Sequence, residues 1–269
     1  MSTSDSPGAP PAFPGAQVLK AQPAWQCLDF ISDIHLHDGL PRTTAALARY
    51  LAGTPADALF ILGDLFEAWV GDDMRTQPHE AACLHMLKEA AQSRPVFIMV
   101  GNRDFLLGAD FLADCGATAL PDPTVLEAFG ERALLVHGDA LCLADTAYLR
   151  FRAQVRQPAW QQAFLGHPLD SRLAQARQMR EASQTHQQSQ AQTNGYADVD
   201  EPCAGAWMQA AGCGLLLHGH THQPGSQAFG PGVRHVLSDW DLDHSTDPAR
   251  QRAEVLRWQA DGLHRIAVR

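Results

Sequence analysis

From Cys27 onward, short and nearly continuous apolar runs alternate with amphipathic stretches. The runs Cys27–Ile31, Ala58–Leu62, Val96–Val100, Ala133–Val136 and Leu215–Leu217 are rich in Ile, Val, Leu and Phe. Strands covered on both faces read this way, because neither side of the pleat turns to water. Between them, Thr43–Leu51 carries Ala and Leu at helical spacing. Pro78–Ala91 opens on a proline, which suits a first helical turn where its missing N–H goes unneeded. Phe105–Cys115 is followed by Gly116, a residue suited to a left-handed helix stop. This alternation predicts an α/β fold around a central sheet. Late in the chain Val233–Leu237 reads as a strand, and Glu254–Gln259 and Leu263–Val268 flank Ala260-Asp261-Gly262, where the Asp-Gly pair predicts a hairpin.

Two stretches leave the pattern. Residues 1–24 hold five prolines and two glycines and no apolar core, and read as a disordered N-terminal tail. Residues 145–210 offer helices at Tyr148–Val155 and Leu169–Gln184 but no strand, and read as a helical cap inserted into one domain spanning 25–269. The length of 269 residues fits one large domain with such an insertion. No apolar run approaches the ~18–20 residues of a membrane span. The net charge of −10 argues against a general nucleic-acid binder, which is normally basic. Six cysteines, none in a CxxC pair, sit in apolar segments and read as reduced core thiols. With no secretory signature at the start, the cytoplasm is the expected compartment.

The chemistry lies where the strands stop. Ile31 is followed by Ser32-Asp33-Ile34-His35, Leu62 by Gly63-Asp64, and Val100 by Gly101-Asn102-Arg103-Asp104. Val136 is followed by His137-Gly138-Asp139, and Leu217 by His218-Gly219-His220-Thr221-His222. Carboxyl ends of strands are where α/β sheets bind ligands. Asp33 and Asp64 are hard anionic donors, Asn102 a neutral oxygen donor, and His35, His137, His220 and His222 nitrogen donors. Mixed nitrogen and oxygen ligation without thiolates suits Mn, Fe or Zn. Seven donors exceed what one catalytic metal with an open position takes, and suit two metals sharing Asp64. Alternate residues of an extended segment face one way, so His220 and His222 can reach one site. Taken singly each piece has a plainer reading: Asp33 as a helix N-cap, Gly63-Asp64 and Asn102 as turns, His137 as a hydrogen-bonded edge residue. His218 is read as a supporting residue. Two divalent ions against two carboxylates leave a pocket near about +2, which favours a phosphate or diphosphate and permits activation of a water.

These motifs resemble the calcineurin-like metallophosphoesterase superfamily, through Asp33-x-His35, Gly63-Asp64, Gly101-Asn102, His137 and Gly219-His220-x-His222, from about residue 27 to 240. Longer strings resemble one branch, the diphosphatases that cleave UDP-2,3-diacylglucosamine in lipid A synthesis. They are Phe30-Ile31-Ser32-Asp33-Ile34-His35-Leu36, the run Gly63 to Asp73, the run Gly101 to Gly108, and the run His218 to Pro224. The resemblance implies a four-layer α/β/β/α sandwich with a helical cap, and hydrolysis of the diphosphate to UMP and 2,3-diacylglucosamine 1-phosphate with two Mn2+ ions, water attacking the phosphorus nearer uridine. It places Asp33, His35, Asp64 and His222 on one metal, and Asp64, Asn102, His137 and His220 on the other. Arg103 stands where many members carry histidine. A guanidinium stays protonated, so it serves as a fork on a phosphate oxygen and not as an acid; the plainer alternative is a salt bridge with Asp104.

Between Leu149 and Arg180 six arginines face the single acid Asp170, a local excess of +5, alongside Phe151, Trp160, Phe164 and Leu165. A basic, aromatic cap suits an amphiphile with a diphosphate, and an anionic membrane surface; an ordinary helical pair with solvated arginines has the same composition. The resemblance implies substrate contacts in the cap at Asp145, Ser183, Gln187 and Gln190, with Gln187 and Gln190 departing from the branch's Asn and Lys; Arg180 is the expected substitute for the lost cation, and Asn102, Arg103 and His220 are expected to meet the substrate at the centre. It implies peripheral association with the cytoplasmic face of the inner membrane, no nucleic acid, and no obligate protein partner.

Overall fold

The computed structural model describes residues 11–180 and 198–268. The first sheet orders β12-β11-β2-β3-β4-β5, built from β2 (Cys27–Ile31), β3 (Ala58–Leu62), β4 (Val96–Met99), β5 (Thr118–Ala119), β11 (Glu254–Gln259) and β12 (Gly262–Ala267). Strands β2 to β5 run parallel, and the β11–β12 hairpin closes one edge antiparallel. The second sheet orders β1-β6-β7-β8-β10-β9, from β1 (Gln17–Lys20), β6 (Thr124–Ala128), β7 (Glu131–Leu135), β8 (Leu215–His218), β9 (Gly225–Phe229) and β10 (Gly232–Val236).

Three apolar layers explain why two sheets form where the strand–helix alternation alone predicted one. Between the sheets lie Leu28, Phe30, Phe60, Leu62, Met99, Leu126, Leu135, Leu217 and Trp258. The outer face of the first sheet, with Ile31, Leu59, Ile61 and Ile98, is covered by α1 (Pro41–Gly53), α2 (Pro78–Ser93) and α3 (Ala109–Cys115). The outer face of the second sheet, with Val125, Leu134, Val136 and Leu216, is covered by Trp207, Met208 and Ala211 of α7 (Glu201–Ala211). The result is the expected α/β/β/α sandwich. Between β7 and β8 the chain inserts α4 (Thr146–Val155), α5 (Pro158–Leu165) and α6, helical over 169–180.

Three expectations need correction. The tail expected over 1–24 contains β1, which pairs parallel with β6, and Phe13 packs its ring 5.8 Å from Trp207; residues 1–10 lie outside the described residues. The cap expected over 145–210 ends before α7, whose apolar face belongs to the core. The helix expected over Phe105–Cys115 starts only at Ala109, because the Asp72 carboxylate accepts from the backbone N–H groups of Gly108, Asp110 and Phe111. That acceptor takes the role of an N-cap from outside the segment, where local sequence cannot show it. All six cysteines are buried and free, and among the described residues no helix is long and apolar enough to cross a membrane.

Candidate metal centre

The strand ends converge as expected. Beyond β2, Asp33 is fully buried, and its carboxylate accepts from the backbone N–H of His220 at 3.0 Å and from the Ser32 hydroxyl. Its Oδ1 lies 3.4 Å from His222 Nε2, which in turn lies 3.2 Å from His35 Nε2. Beyond β3, Asp64 accepts from the Arg103 N–H at 2.8 Å, and its two oxygens face His137 Nε2 at 3.7 Å and His35 Nε2 at 4.0 Å. Asn102 presents its amide oxygen to His137 Nε2 at 3.0 Å and to His220 Nδ1 at 2.8 Å. All seven expected donors thus meet. Two sets of atoms lie close enough for one ion each, Asp33 with His35 and His222, and Asp64 with His137 and His220.

The backbone is bent to achieve this. Six non-glycine residues among the described residues have positive φ, and five are donors: Asp33, His35, Asp64, His220 and His222. Left-handed conformations cost such residues of order 1–3 kcal/mol each, and persist where the surroundings hold them. His220 and His222 therefore do not reach the centre by extended alternation. Each sits on its own left-handed kink, at φ of 66° and 52°, and they go to different sets. The glycines beside the donors are required by close approach. A Cβ on Gly101 would collide with the Asp64 carboxylate, and one on Gly219 with Asp33 and Ser32.

The electrostatics favour cations. Burial alone would push His137 down, but Asp64, Asp139 and Asp33 raise it to about 9. Burial would raise Asp33, yet the His222 contact and neighbouring imidazoles hold it well below the usual carboxylate range. Burial and the nearby His137 charge lower His220 to about 4, so its ring stays neutral and able to ligate. His137 Nδ1 lies 2.9 Å from the Leu62 carbonyl, which fixes the other nitrogen as the one facing Asn102. His218 is no ligand: its ring is engaged by Arg234 Nε at 2.8 Å and the Gly219 carbonyl at 2.7 Å, and burial together with Arg234 lowers it to about 3.

The cap residues divide. Arg103 Nη1 lies 3.8 Å and Arg180 Nη1 2.7 Å from Glu67 Oε1. The alternative Arg103–Asp104 bridge is absent among the described ion pairs. Asp104 is instead buried, accepting from Gly101 N–H at 2.7 Å and Leu65 N–H at 2.8 Å, which fastens both donor loops together. Asp145 caps α4 by accepting from Tyr148 N–H at 3.0 Å and lines the cavity below. Ser183, Gln187 and Gln190 lie outside the described residues. The cap is also less free in charge than its composition implied. Arg152 Nε donates to buried Asp139 at 2.8 Å, Arg156 donates to the Gly101 carbonyl at 2.8 Å, and Arg172 pairs with Asp73. Glu67, Tyr148 and Asp104 escaped sequence reasoning. The i, i+4, i+8 spacing of Tyr148, Arg152 and Arg156 was the signal that one face of α4 docks on the core.

A cavity of about 440 Å³ runs under the cap. Trp69, Phe105, Phe151, Trp160, Phe164, Leu173 and Met179 form its apolar walls, and Asn102, Arg103, Asp145, Tyr148, Arg177 and Arg180 its polar lining. Asn102 is shared with the donor cluster, so the cavity meets the centre there.

A fold of two stacked sheets that brings mixed carboxylate, amide and imidazole donors into two adjoining sets defines a dinuclear metallohydrolase. Residues 28–224 match the calcineurin-like phosphoesterase family, and the chain belongs to it. Three similar proteins are each named UDP-2,3-diacylglucosamine hydrolase. The one from Ralstonia nicotianae is 46% identical, covering 87% of this chain and 89% of its own. The one from Chromobacterium violaceum is 46% identical, covering 79% and 90%. The one from Xanthomonas campestris pv. campestris is 42% identical, covering 87% and 96%. The family implies two divalent ions, and the residues fit them. Beside this donor set, Arg103 Nε and Arg180 Nε are buried donors without a hydrogen-bond partner, which suits an anion next to the ions.

Proposed function

We propose that the protein hydrolyses the diphosphate of UDP-2,3-diacylglucosamine, releasing UMP and 2,3-diacylglucosamine 1-phosphate. The observation that carries this is the apolar cavity opening onto the donor cluster at Asn102, with Arg103 and Arg180 at the junction. An amphiphile whose charged anhydride adjoins acyl chains matches that division. A small phosphodiester would leave the aromatic walls without a purpose. The names of the three relatives support the same substrate.

Asp33, His35 and His222 would hold one divalent ion, and Asn102, His137 and His220 the other, with Asp64 shared; Mn2+ is the ion proposed. Bound ions would supply a water activated for attack on phosphorus and would neutralise the diphosphate oxygens. The chain's own residues do the rest. Asp64 is fixed for its shared position by the Arg103 N–H. The Arg103 and Arg180 guanidiniums face the anhydride and hold its oxygens through forked, charge-assisted hydrogen bonds. The cap walls withdraw the acyl chains from water and so align the scissile bond with the centre.

Phe151 and Leu165 are large apolar side chains left exposed on the cap, 37% and 43% accessible, and Arg150 and Arg177 of the cap are exposed as well. This supports peripheral docking on the cytoplasmic face of the inner membrane, from which an acylated substrate would be drawn. The deciding measurement is Mn2+-dependent UMP release from UDP-2,3-diacylglucosamine, with His220→Ala as control. Release that vanishes in the control is expected. Hydrolysis of simple phosphate esters without UMP release would leave the centre standing and assign the cap a different substrate.

A further inference from the structure

Glu67 stands three residues beyond Asp64, on a loop locked beside His35. Leu36 N–H donates to the Leu65 carbonyl at 2.9 Å, and Glu67 N–H to the Leu36 carbonyl at 3.1 Å. Its side chain is 12% exposed and reaches three partners from three segments. Oε2 lies 3.2 Å from His35 Nδ1, and Oε1 lies 2.7 Å from Arg180 Nη1 and 3.8 Å from Arg103 Nη1. No other carboxylate among the described residues comes within ion-pair distance of either arginine.

We propose that Glu67 is a positioning residue that joins the ligand His35 to the Arg103 and Arg180 guanidiniums, so that one carboxylate sets both the tautomer of a metal ligand and the docked position of the cap. With Nδ1–H directed at Glu67, the lone pair of His35 sits on Nε2, which is the nitrogen facing Asp64 and His222. A carboxylate behind an imidazole in this way fixes the orientation of the ring. The same carboxylate holds two guanidiniums at the cavity mouth, while Arg103 Nε and Arg180 Nε remain without partners. An arriving diphosphate therefore finds two positioned forks, and α6 is drawn to the core through Arg180.

The inference rests on the proposed substrate only for its cap arm, and the test separates the two. Metal affinity is measured on the full chain by competition against a chromophoric chelator, with no substrate present. Glu67→Ala is expected to weaken binding about 10–100-fold, as for other lost carboxylate partners of ligating histidines. Glu67→Gln should recover most of that affinity, since its amide oxygen still accepts from Nδ1–H. It should not restore substrate binding, because a neutral oxygen does not hold two guanidiniums. KM should then rise about tenfold in both variants, the worth of a misplaced charge-assisted hydrogen bond. Asp73→Asn loosens α6 through Arg172 without touching His35, and should leave metal affinity unchanged. Nitrogen-15 NMR of the metal-free protein should report Nδ1–H on His35, lost in Glu67→Ala. Metal affinity within twofold of wild type in Glu67→Ala would overturn the proposal, as would an equal loss in Asp73→Asn. A wild-type protein that ignores the lipid substrate would count against the function and leave the metal arm intact.

Discussion

Shortening both acyl chains of the substrate by two methylenes tests the link between cavity and chemistry most directly. The walls are Trp69, Phe105, Phe151, Trp160, Phe164, Leu173 and Met179, so a methylene withdrawn from them returns from hydrocarbon-like surroundings to water. Each such methylene is worth about 0.8 kcal/mol, a factor of about four in kcat/KM, so four together amount to about 3 kcal/mol or roughly 200-fold. The chains lie away from the reacting phosphorus, so the loss should fall mainly on KM and leave kcat nearly constant. UMP release across a chain-length series, at fixed surface concentration in detergent, measures the slope. Trp160 stacks on Phe164 at 4.9 Å and lies 6.2 Å from Phe105, so Trp160→Ala opens the wall and should flatten the dependence without changing metal content. Deacylated UDP-glucosamine turned over as efficiently as the lipid, or a slope identical in Trp160→Ala, would refute the assignment of the cavity to the acyl chains.

Other outcomes follow from the same geometry. Asp64→Asn keeps an acceptor for the Arg103 N–H but removes the charge shared by both donor sets, so metal stoichiometry and turnover should fall together; two bound equivalents by elemental analysis would count against a shared position. Arg103→Lys replaces a fork with a point charge, and kcat should drop about 10–100-fold with metal content intact, whereas full activity would remove Arg103 from the reaction. His235 is buried, and burial together with Arg265 lowers it from the ordinary 6.5 to about 4. Its depressed value means the unfolded chain takes up the proton first, so stability is lost as pH falls from about 6.5 to about 4. His235→Gln should show a shallower fall in Tm over that window; an unchanged acid limb would show that His235 does not contribute to it.

Periodicity alone located β2 and β3 to the residue, since strands buried on both faces must be nearly continuously apolar, and the Asp-Gly turn signal located β11. The same logic exposed the donors, because a strand end in an α/β sheet is where polar side chains gather. All seven donor positions, and Arg103 beside them, were legible in order along the chain. The residues that organise them were not. Glu67, Asp104 and Asp139 are single acids whose partners come from distant segments, and no local pattern marks a carboxylate that will be buried. Nor did composition show that three of the six cap arginines are committed to Asp139, Asp73 and the Gly101 carbonyl.

The sequence by itself determined the alternation of elements, the order of the candidate metal donors along the chain, and the amphipathic composition of the cap, because each is written in side-chain type and short-range spacing. Tertiary structure decided that the strands divide between two sheets, that β1 and α7 belong to the core, and that five donors sit in left-handed backbone. These depend on which surfaces find one another at long range. A left-handed aspartate or histidine costs energy locally and is held only by the assembled surroundings, so nothing in its immediate neighbours announces it.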